Sequence, residues 1–261
     1  MGAQAVASRS GSPLRELGYV RFRLGDELHD VDGRYLDELR TEFDELPPDP
    51  YADGCNRDRS YSRAVLIPWS RRLEWIPNAT DEDGEEVTEY YQGGYNPDYV
   101  QQARRFTPIS ERAQANPLLL RAIDADLERT FWDDVDSRLP LHVGVHFVRL
   151  RVDRPGEEAV ASPNHLHQDG EPFTFAHLVG RANSLGGVNT IATPRCSGLM
   201  PEDVAEHLIV DRFELVEPFE SYGVCDAKVS HYVSAVRRAG GEGPGERSVV
   251  LVDFTPMVPR I

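Results

Sequence analysis

From residue 142 onward, short alternating runs rich in β-branched residues follow one another. They are HVGVHFVRLRV (142–152), TFAHLVGR (174–181), VNTIAT (188–193), KVSHYVSAV (228–236) and RSVVLVDF (247–254). Between them stand turn clusters such as DRPGEE, SLGG and RRAGGEGPG. Alternation at period two puts one set of side chains on each face of a strand, and the Gly- and Pro-rich breaks demand turns. Such a series closes into a β-sandwich or barrel with helices packed outside it. Before Pro140 the pattern differs. YLDELRTEFDEL (35–46) carries Leu36, Leu39, Phe43 and Leu46 at helical spacing and stops at LPPDP. NPLLLRAIDADLERTFWDDV (116–135) reads as a second helix, with Asn116 as N-cap and Pro117 at the first helical position. PEDVAEHL (201–208) reads as a short helical insertion, and 51–96 is irregular. The expected architecture is mainly β with flanking helices. A disordered leader (1–13) precedes one domain (14–261), with a helical prelude to about 138 and a strand-rich core over 139–261.

With 44 acidic and 28 basic residues the formal net charge is -16. A surface that negative repels phosphate backbones and anionic lipid, so neither nucleic acid nor membrane is an expected partner. No apolar run approaches the ~18 residues of a membrane span, and the first dozen residues lack the apolar core of a secretion signal. Three scattered cysteines, Cys55, Cys196 and Cys225, fit neither a disulfide framework nor a zinc knuckle and point to a reducing, cytoplasmic setting. Lys228 is the only lysine, which disfavours chemistry built on a lysine amine. Oligomeric state leaves no mark on the sequence.

The chemistry gathers in NHLHQDGEPF (164–173). In an extended segment His165, His167 and Asp169 share a face, so an imidazole nitrogen and a carboxylate oxygen can meet at one point. Two protein ligands hold a metal poorly, and a third is needed. His142, His146 and His177 sit in alternating strands, where a hydrogen-bonded core histidine is the commoner outcome. His231 opens its own strand. Residues 231 and 247 are equidistant from Ala239 in the Gly-rich turn, so a hairpin centred there would set Arg247 opposite His231, ~5 Å away. Two histidines and a carboxylate leave about three positions of an iron open, and a guanidinium beside them could take a carboxylate bidentately.

The order His-x-Asp, distant His, then Arg at the start of the last strand resembles the Fe(II)/2-oxoglutarate-dependent dioxygenases. HLHQDGEPFTFAHLVGRANSLGGVNTI, with VHFVRLRV before it and GERSVVLVDF after it, is similar to the bacterial amino acid hydroxylase group that contains L-isoleucine 4-hydroxylase. LPPDPYADGCNRDRSYSR (47–63) resembles that group's N-terminal segment, so the likeness runs from about residue 40 to the end. The resemblance implies a double-stranded β-helix (jelly roll, cupin-like) holding Fe(II) through His167, Asp169 and His231. It implies Arg247 on the distal carboxylate of 2-oxoglutarate. It implies hydroxylation of an unactivated C–H bond with O2, while 2-oxoglutarate decarboxylates to succinate. The implied substrate is a small molecule, a free L-amino acid or a similar metabolite.

Arg149 and Arg151 share a strand face that would be the lumen of a barrel, where Arg149 could hold a substrate carboxylate. Asn189, after the GG turn, is a candidate polar contact with substrate. Phe173 is a weaker candidate for the pocket wall, and core packing is its commoner fate. His165 is left outside the ligand set, and Tyr90, Tyr91 and Tyr95 read as core or hinge packing. Two rivals stay open: a cupin-like metalloenzyme that does not use 2-oxoglutarate, and a non-catalytic small-molecule-binding barrel.

Overall fold

The computed structural model describes residues 12–28, 33–92 and 103–258. In chain order the strands are β1 (Tyr19–Arg23), β2 (Arg57–Ile67), β3 (Arg72–Trp75), β4 (Ala79–Thr80), β5 (Glu86–Tyr90), β6 (Arg104–Phe106), β7 (Leu141–Val152), β8 (Phe173–Ala182), β9 (Ser184–Gly186), β10 (Val188–Ala192), β11 (Ile209–Glu214), β12 (Glu220–Cys225), β13 (Ser230–Val233), β14 (Val236–Arg238) and β15 (Gly245–Pro256). The helices are α1 (Pro13–Leu17), α2 (Leu24–Glu27), α3 (Arg34–Asp44), α4 (Glu111–Gln114) and α5 (Pro117–Arg129). A seven-stranded antiparallel sheet, ordered β1-β12-β8-β15-β7-β2-β3, faces a smaller sheet ordered β11-β10-β13. This is the jelly roll expected from the sequence.

Strand parity organises the large sheet. On β7, Leu141, Val143, Val145 and Phe147 point outward, as do Phe173, Phe175 and Val179 of β8 and Val250, Val252 and Phe254 of β15. They pack under Leu39 and Phe43 of α3 and Leu119 and Ile123 of α5; the Phe43 and Phe147 rings stack at 4.9 Å. Burying each such side chain contributes roughly 1.5–3 kcal/mol. The opposite parity (Val148 and Leu150 of β7, Ala176 of β8, Val249 and Leu251 of β15) faces the smaller sheet and lines a cavity. Helix α5 starts where expected: Asn116 Oδ1 accepts from the Leu118 and Leu119 N–H groups, at 3.0 and 3.2 Å.

Several expectations need correction. The part before residue 138 is not a helical prelude, because β1, β2 and β3 belong to the large sheet. The eleven-residue β2 escapes a search for apolar alternation because its inward positions are Arg57, Arg59 and Tyr61. The second helix ends at Arg129 and not at 135. Residues 201–208 form two 3-10 turns, with Asp203 N–H on Met200 O and Leu208 N–H on Ala205 O. Eight residues are too few to offset helix nucleation without packing support. The expected leader lies outside the described residues up to residue 11; Ser12 caps α1 and Pro13 is its first residue. Tyr95 also lies outside them. No helix among the described residues is long and apolar enough to cross a membrane.

Candidate active site

His167, Asp169 and His231 come together at the cavity wall, each offering one donor atom, all within 4.8 Å of one another. The backbone sets this up. His167 and His231 form an antiparallel bridge, with N–H to O distances of 3.0 and 2.9 Å, that adds the HQDG segment to the edge of β13. Gly170 then turns the chain at φ 87, a left-handed conformation that an L side chain resists. Asp226 clamps this turn by accepting from Asp169 N–H (2.8 Å) and Gly170 N–H (3.0 Å). The segment that leads into His231 therefore also holds the Asp169 turn.

The donor set fits a divalent iron. His167 Nδ1 lies 2.8 Å from the His165 carbonyl, which can only accept, so Nδ1 carries the proton and the Nε2 lone pair is free. Burial, reinforced by His231, holds the His167 pKa down to about 4. Burial alone would raise the Asp169 carboxyl, but the His231 and His167 imidazoles outweigh it and hold the group well below the usual range. Its oxygens lie 3.5 Å from His167 Nε2 and 3.3 Å from His231 Nε2, and Thr174 Oγ1 donates to Oδ2 at 3.2 Å. Two nitrogens and one carboxylate on one side of a point suit a non-haem Fe(II) with open positions. His165 contributes its carbonyl to this arrangement and not its ring.

Arg247 enters the same cavity from the opposite sheet. It is not the hairpin partner of His231. His231 pairs with Ile191 of β10, whereas Arg247 pairs with Leu150 of β7 and Arg181 of β8. Equal spacing from Ala239 requires one continuous hairpin. The chain instead breaks after Val233, and β14 pairs with β9 before the turn crosses to the large sheet. The two residues meet across the lumen. Gly187 makes room for the arginine: a Cβ there, at φ 68, would sit 2.8 Å from Arg247 Cδ. Burial lowers the Arg247 pKa to about 10, and its Nε has no hydrogen-bond partner.

Of the expected substrate contacts, Asn189 lines the cavity, its Nδ2 donating to Phe213 O at 3.3 Å and its Oδ1 buried without a partner. Arg149 and Phe173 do not reach it. Arg149 has the outward parity of Phe147 and pairs with Asp58 of β2 at 2.8 Å, its register partner. Phe173 packs edge-on to Phe131 and Trp132 on the helix side. Alternation specifies two faces but not which of them is the lumen.

A further part of the cavity wall, formed by Arg59, Tyr90, His146, Glu171 and Asp253, carries no motif in the sequence. Arg59 Nη2 contacts His146 Nδ1 at 2.7 Å, and a guanidinium can only donate. The imidazole proton therefore sits on Nε2, which donates to Asp253 Oδ2 at 3.1 Å. Asp253 fits because residue 144 is glycine; a Cβ there would lie 2.1 Å from Asp253 Oδ2. Tyr90 packs in the core as expected, against Tyr61 and Phe106, and its hydroxyl also donates to Glu171 Oε1 at 3.0 Å. Burial, then repulsion from Asp169, raises the Asp253 carboxyl to about 7, and burial with repulsion from Asp253 pushes Glu171 well up. The available signal was the period-two spacing of Arg57, Arg59 and Tyr61 in NRDRSYSR, which puts polar groups on one strand face.

A family profile described as 2OG-Fe dioxygenase matches residues 40–253. L-isoleucine-4-hydroxylase of Bacillus thuringiensis is 30% identical over 227 residues, 84% of this chain and 82% of that protein. The 3(1)-hydroxy-L-isoleucine 4-dioxygenase of Pantoea ananatis (strain AJ13355) is 27% identical over 262 residues, 97% of this chain and 93% of that protein. The crystal structure of IDO from Bacillus thuringiensis superposes with a TM-score of 0.68 at 22% identity, covering 94% of this chain and 96% of that one, a likeness of fold. Matched along most of its length, the chain belongs to the 2OG-Fe dioxygenase family, enzymes that work with Fe(II), 2-oxoglutarate and O2.

Proposed function

We propose that this dioxygenase hydroxylates an unactivated C–H bond of a free L-amino acid, with His167, Asp169 and His231 holding Fe(II) and Arg247 pairing with the distal carboxylate of 2-oxoglutarate. The observation that carries the reading is a pair of incomplete groups in one cavity. One is a His-Asp-His set whose nitrogens and carboxylate converge; the other is a buried guanidinium with no ion pair among the described residues and an unbonded Nε. A buried charge without a partner is unfavourable, and a bidentate carboxylate is the ligand that best matches a guanidinium. This favours a 2-oxoglutarate enzyme over a cupin-like one that does without it. Amino-acid substrates are supported by the two relatives, named for isoleucine and hydroxyisoleucine oxidation.

Bound iron supplies the oxidising chemistry, in which O2 and 2-oxoglutarate give succinate, carbon dioxide and the hydroxylated product. The chain's own residues do the rest. His167 is held in one tautomer by the His165 carbonyl, and Thr174 orients the Asp169 carboxylate. Val148, Leu150, Val249 and Leu251 give the cavity an apolar wall that limits water beside the reacting carbon. We place the reaction in the cytoplasm; three unpaired cysteines support this. The test is anaerobic Fe(II) loading followed by an assay for succinate across a panel of L-amino acids. Amino-acid-dependent succinate is expected from wild type and at least ~1000-fold less from His167→Ala. Equal turnover by that variant would sink the assignment.

A further inference from the structure

The buried arginines divide into two kinds. Arg57 has Asp49, with Nη2 to Oδ2 at 2.8 Å, and Arg149 has Asp58 at 2.8 Å. Arg104, beside the same cavity, is engaged by Gln92 Oε1 at 2.9 Å and lies over the Tyr90 ring. Arg59 and Arg247 have no ion-pair partner among the described residues, and each keeps a buried Nε without a hydrogen bond. Both line the cavity, and the reading above uses only Arg247.

Arg59 also stands opposite a wall that carries two carboxyl groups, Glu171 and Asp253. Tyr90 and His146 each touch its guanidinium at one end and a carboxylate at the other. The guanidinium carbon lies 5.3 Å from the Tyr90 ring centre, and the Tyr90 hydroxyl donates to Glu171. Arg59 Nη2 contacts His146 Nδ1, and His146 Nε2 reaches Asp253. Phenol and imidazole thus act as neutral spacers that keep the guanidinium from closing on the two carboxyl groups. Glu171 Oε2 is buried without a partner, so the carboxyl side is as incomplete as the guanidinium side. A ligand carrying both a carboxylate and an ammonium group satisfies both sides at once.

We propose that Arg59, facing Glu171 and Asp253 across Tyr90 and His146, is the clamp for the substrate zwitterion: the guanidinium takes the α-carboxylate and the two carboxylates take the α-ammonium. This rests on the amino-acid hydroxylase reading. The clamp places substrate recognition on β2, separated by β7 from Arg247 of β15, so the enzyme tells its two carboxylate ligands apart by which arginine each one reaches. It restricts the substrate to a free amino acid with both α-groups unblocked. Peptidyl residues, amides and carrier-bound thioesters lack the carboxylate and are rejected, because each would leave Arg59 buried and unpaired.

The experiment compares ligands on the wild-type protein first, which removes any doubt about variant folding. Whichever L-amino acid gives the largest succinate signal is set against its primary amide and its N-acetyl derivative. Each blocked form is expected to fall at least ~100-fold in kcat/KM. Arg59→Met should raise KM for the amino acid ~100-fold and change turnover of the amide less than ~3-fold, erasing the discrimination. Calorimetry with Ni(II)-loaded protein should show 2-oxoglutarate binding unchanged in that variant, which also certifies its fold. If no amino acid drives succinate formation, the hydroxylase reading fails and takes the clamp with it. If the free amino acid is used but its amide and N-acetyl forms serve equally well, the clamp alone is overturned. An Arg59→Met enzyme that still prefers the free acid overturns it too.

Discussion

Two of the histidine–aspartate clusters in this protein are built to opposite ends. Between α5 and the large sheet, His177 is complete. Its Nδ1 meets Ser221 Oγ at 2.9 Å and its Nε2 meets Asp126 Oδ2 at 2.8 Å, with both side chains 0% exposed. At the cavity wall, His167 and His231 turn their Nε2 atoms toward one carboxylate from 3.5 and 3.3 Å, too far for good hydrogen bonds, and His231 Nδ1 has no partner. The same residue types make a structural peg in one place and an open donor set in the other. The imidazoles separate them, although Asp126 Oδ1 is itself buried without a partner: a ring with both nitrogens engaged holds the fold, and rings that keep a nitrogen back can hold a ligand.

Substituting the two aspartates should pull stability and activity apart, and this is the largest effect we expect. Asp169→Ala should abolish amino-acid-dependent succinate, by at least ~1000-fold, with the melting temperature unchanged or raised. Its backbone N–H keeps the bond to Asp226, and losing the carboxylate relieves repulsion on Glu171 and Asp253. Asp126→Ala should do the reverse. It strands the His177 imidazole in the core at about 3 kcal/mol, seen in denaturant titration, while turnover per folded molecule stays close to wild type. An Asp126 variant that loses activity without losing stability would break the distinction.

The same contrast explains what is legible in the sequence. The strands of 142–152 and 247–254, the Asn116 cap and the HQDG segment are readable because alternation, capping and a short motif are local signals. Arg247 reaches the expected cavity by an unexpected geometry, since spacing along the chain cannot say that β15 lies between β7 and β8. Arg149 and Phe173 depart from expectation for a related reason: parity separates two faces, and only tertiary packing says which is the lumen. The clamp end is hidden further. Arg59, Tyr90, His146, Glu171 and Asp253 come from five separate segments, and the meaning of each depends on the partners it lacks.

A smaller effect tests how the cofactor end is kept open. Gly187→Ala should raise KM for 2-oxoglutarate about tenfold or more, because the new Cβ would press on Arg247 Cδ. Its backbone, at φ 68, adds strain of about 1 kcal/mol whatever the contact. Gly198→Ala separates the two contributions, since Gly198 has φ 88 and nothing within 4 Å of where a methyl group would stand. That variant should melt slightly earlier with KM for 2-oxoglutarate unchanged. Equal KM shifts in the two would mean that strain, and not the guanidinium's room, is being measured.

The smallest effect concerns a histidine that belongs to neither cluster. His142 faces Arg63 rather than a carboxylate, and burial followed by that positive charge lowers its pKa from 6.5 to about 4. A base whose folded pKa lies below its unfolded value binds fewer protons when folded. Its contribution is therefore fully present above pH 6.5 and is lost progressively as pH falls toward 4. Removing the group should flatten the acid limb of stability over that window by an amount on the order of 1–3 kcal/mol, allowing for partial solvent contact. His142→Gln, followed by denaturant titration from pH 7 down to pH 4, is expected to lose less stability across the range than wild type. Parallel curves for the two proteins would show that His142 keeps an ordinary pKa. A half-buried histidine would then need neither a carboxylate partner nor a metal to stay as easily protonated as one in water, and the contrast between satisfied and open clusters would have to rest on geometry alone.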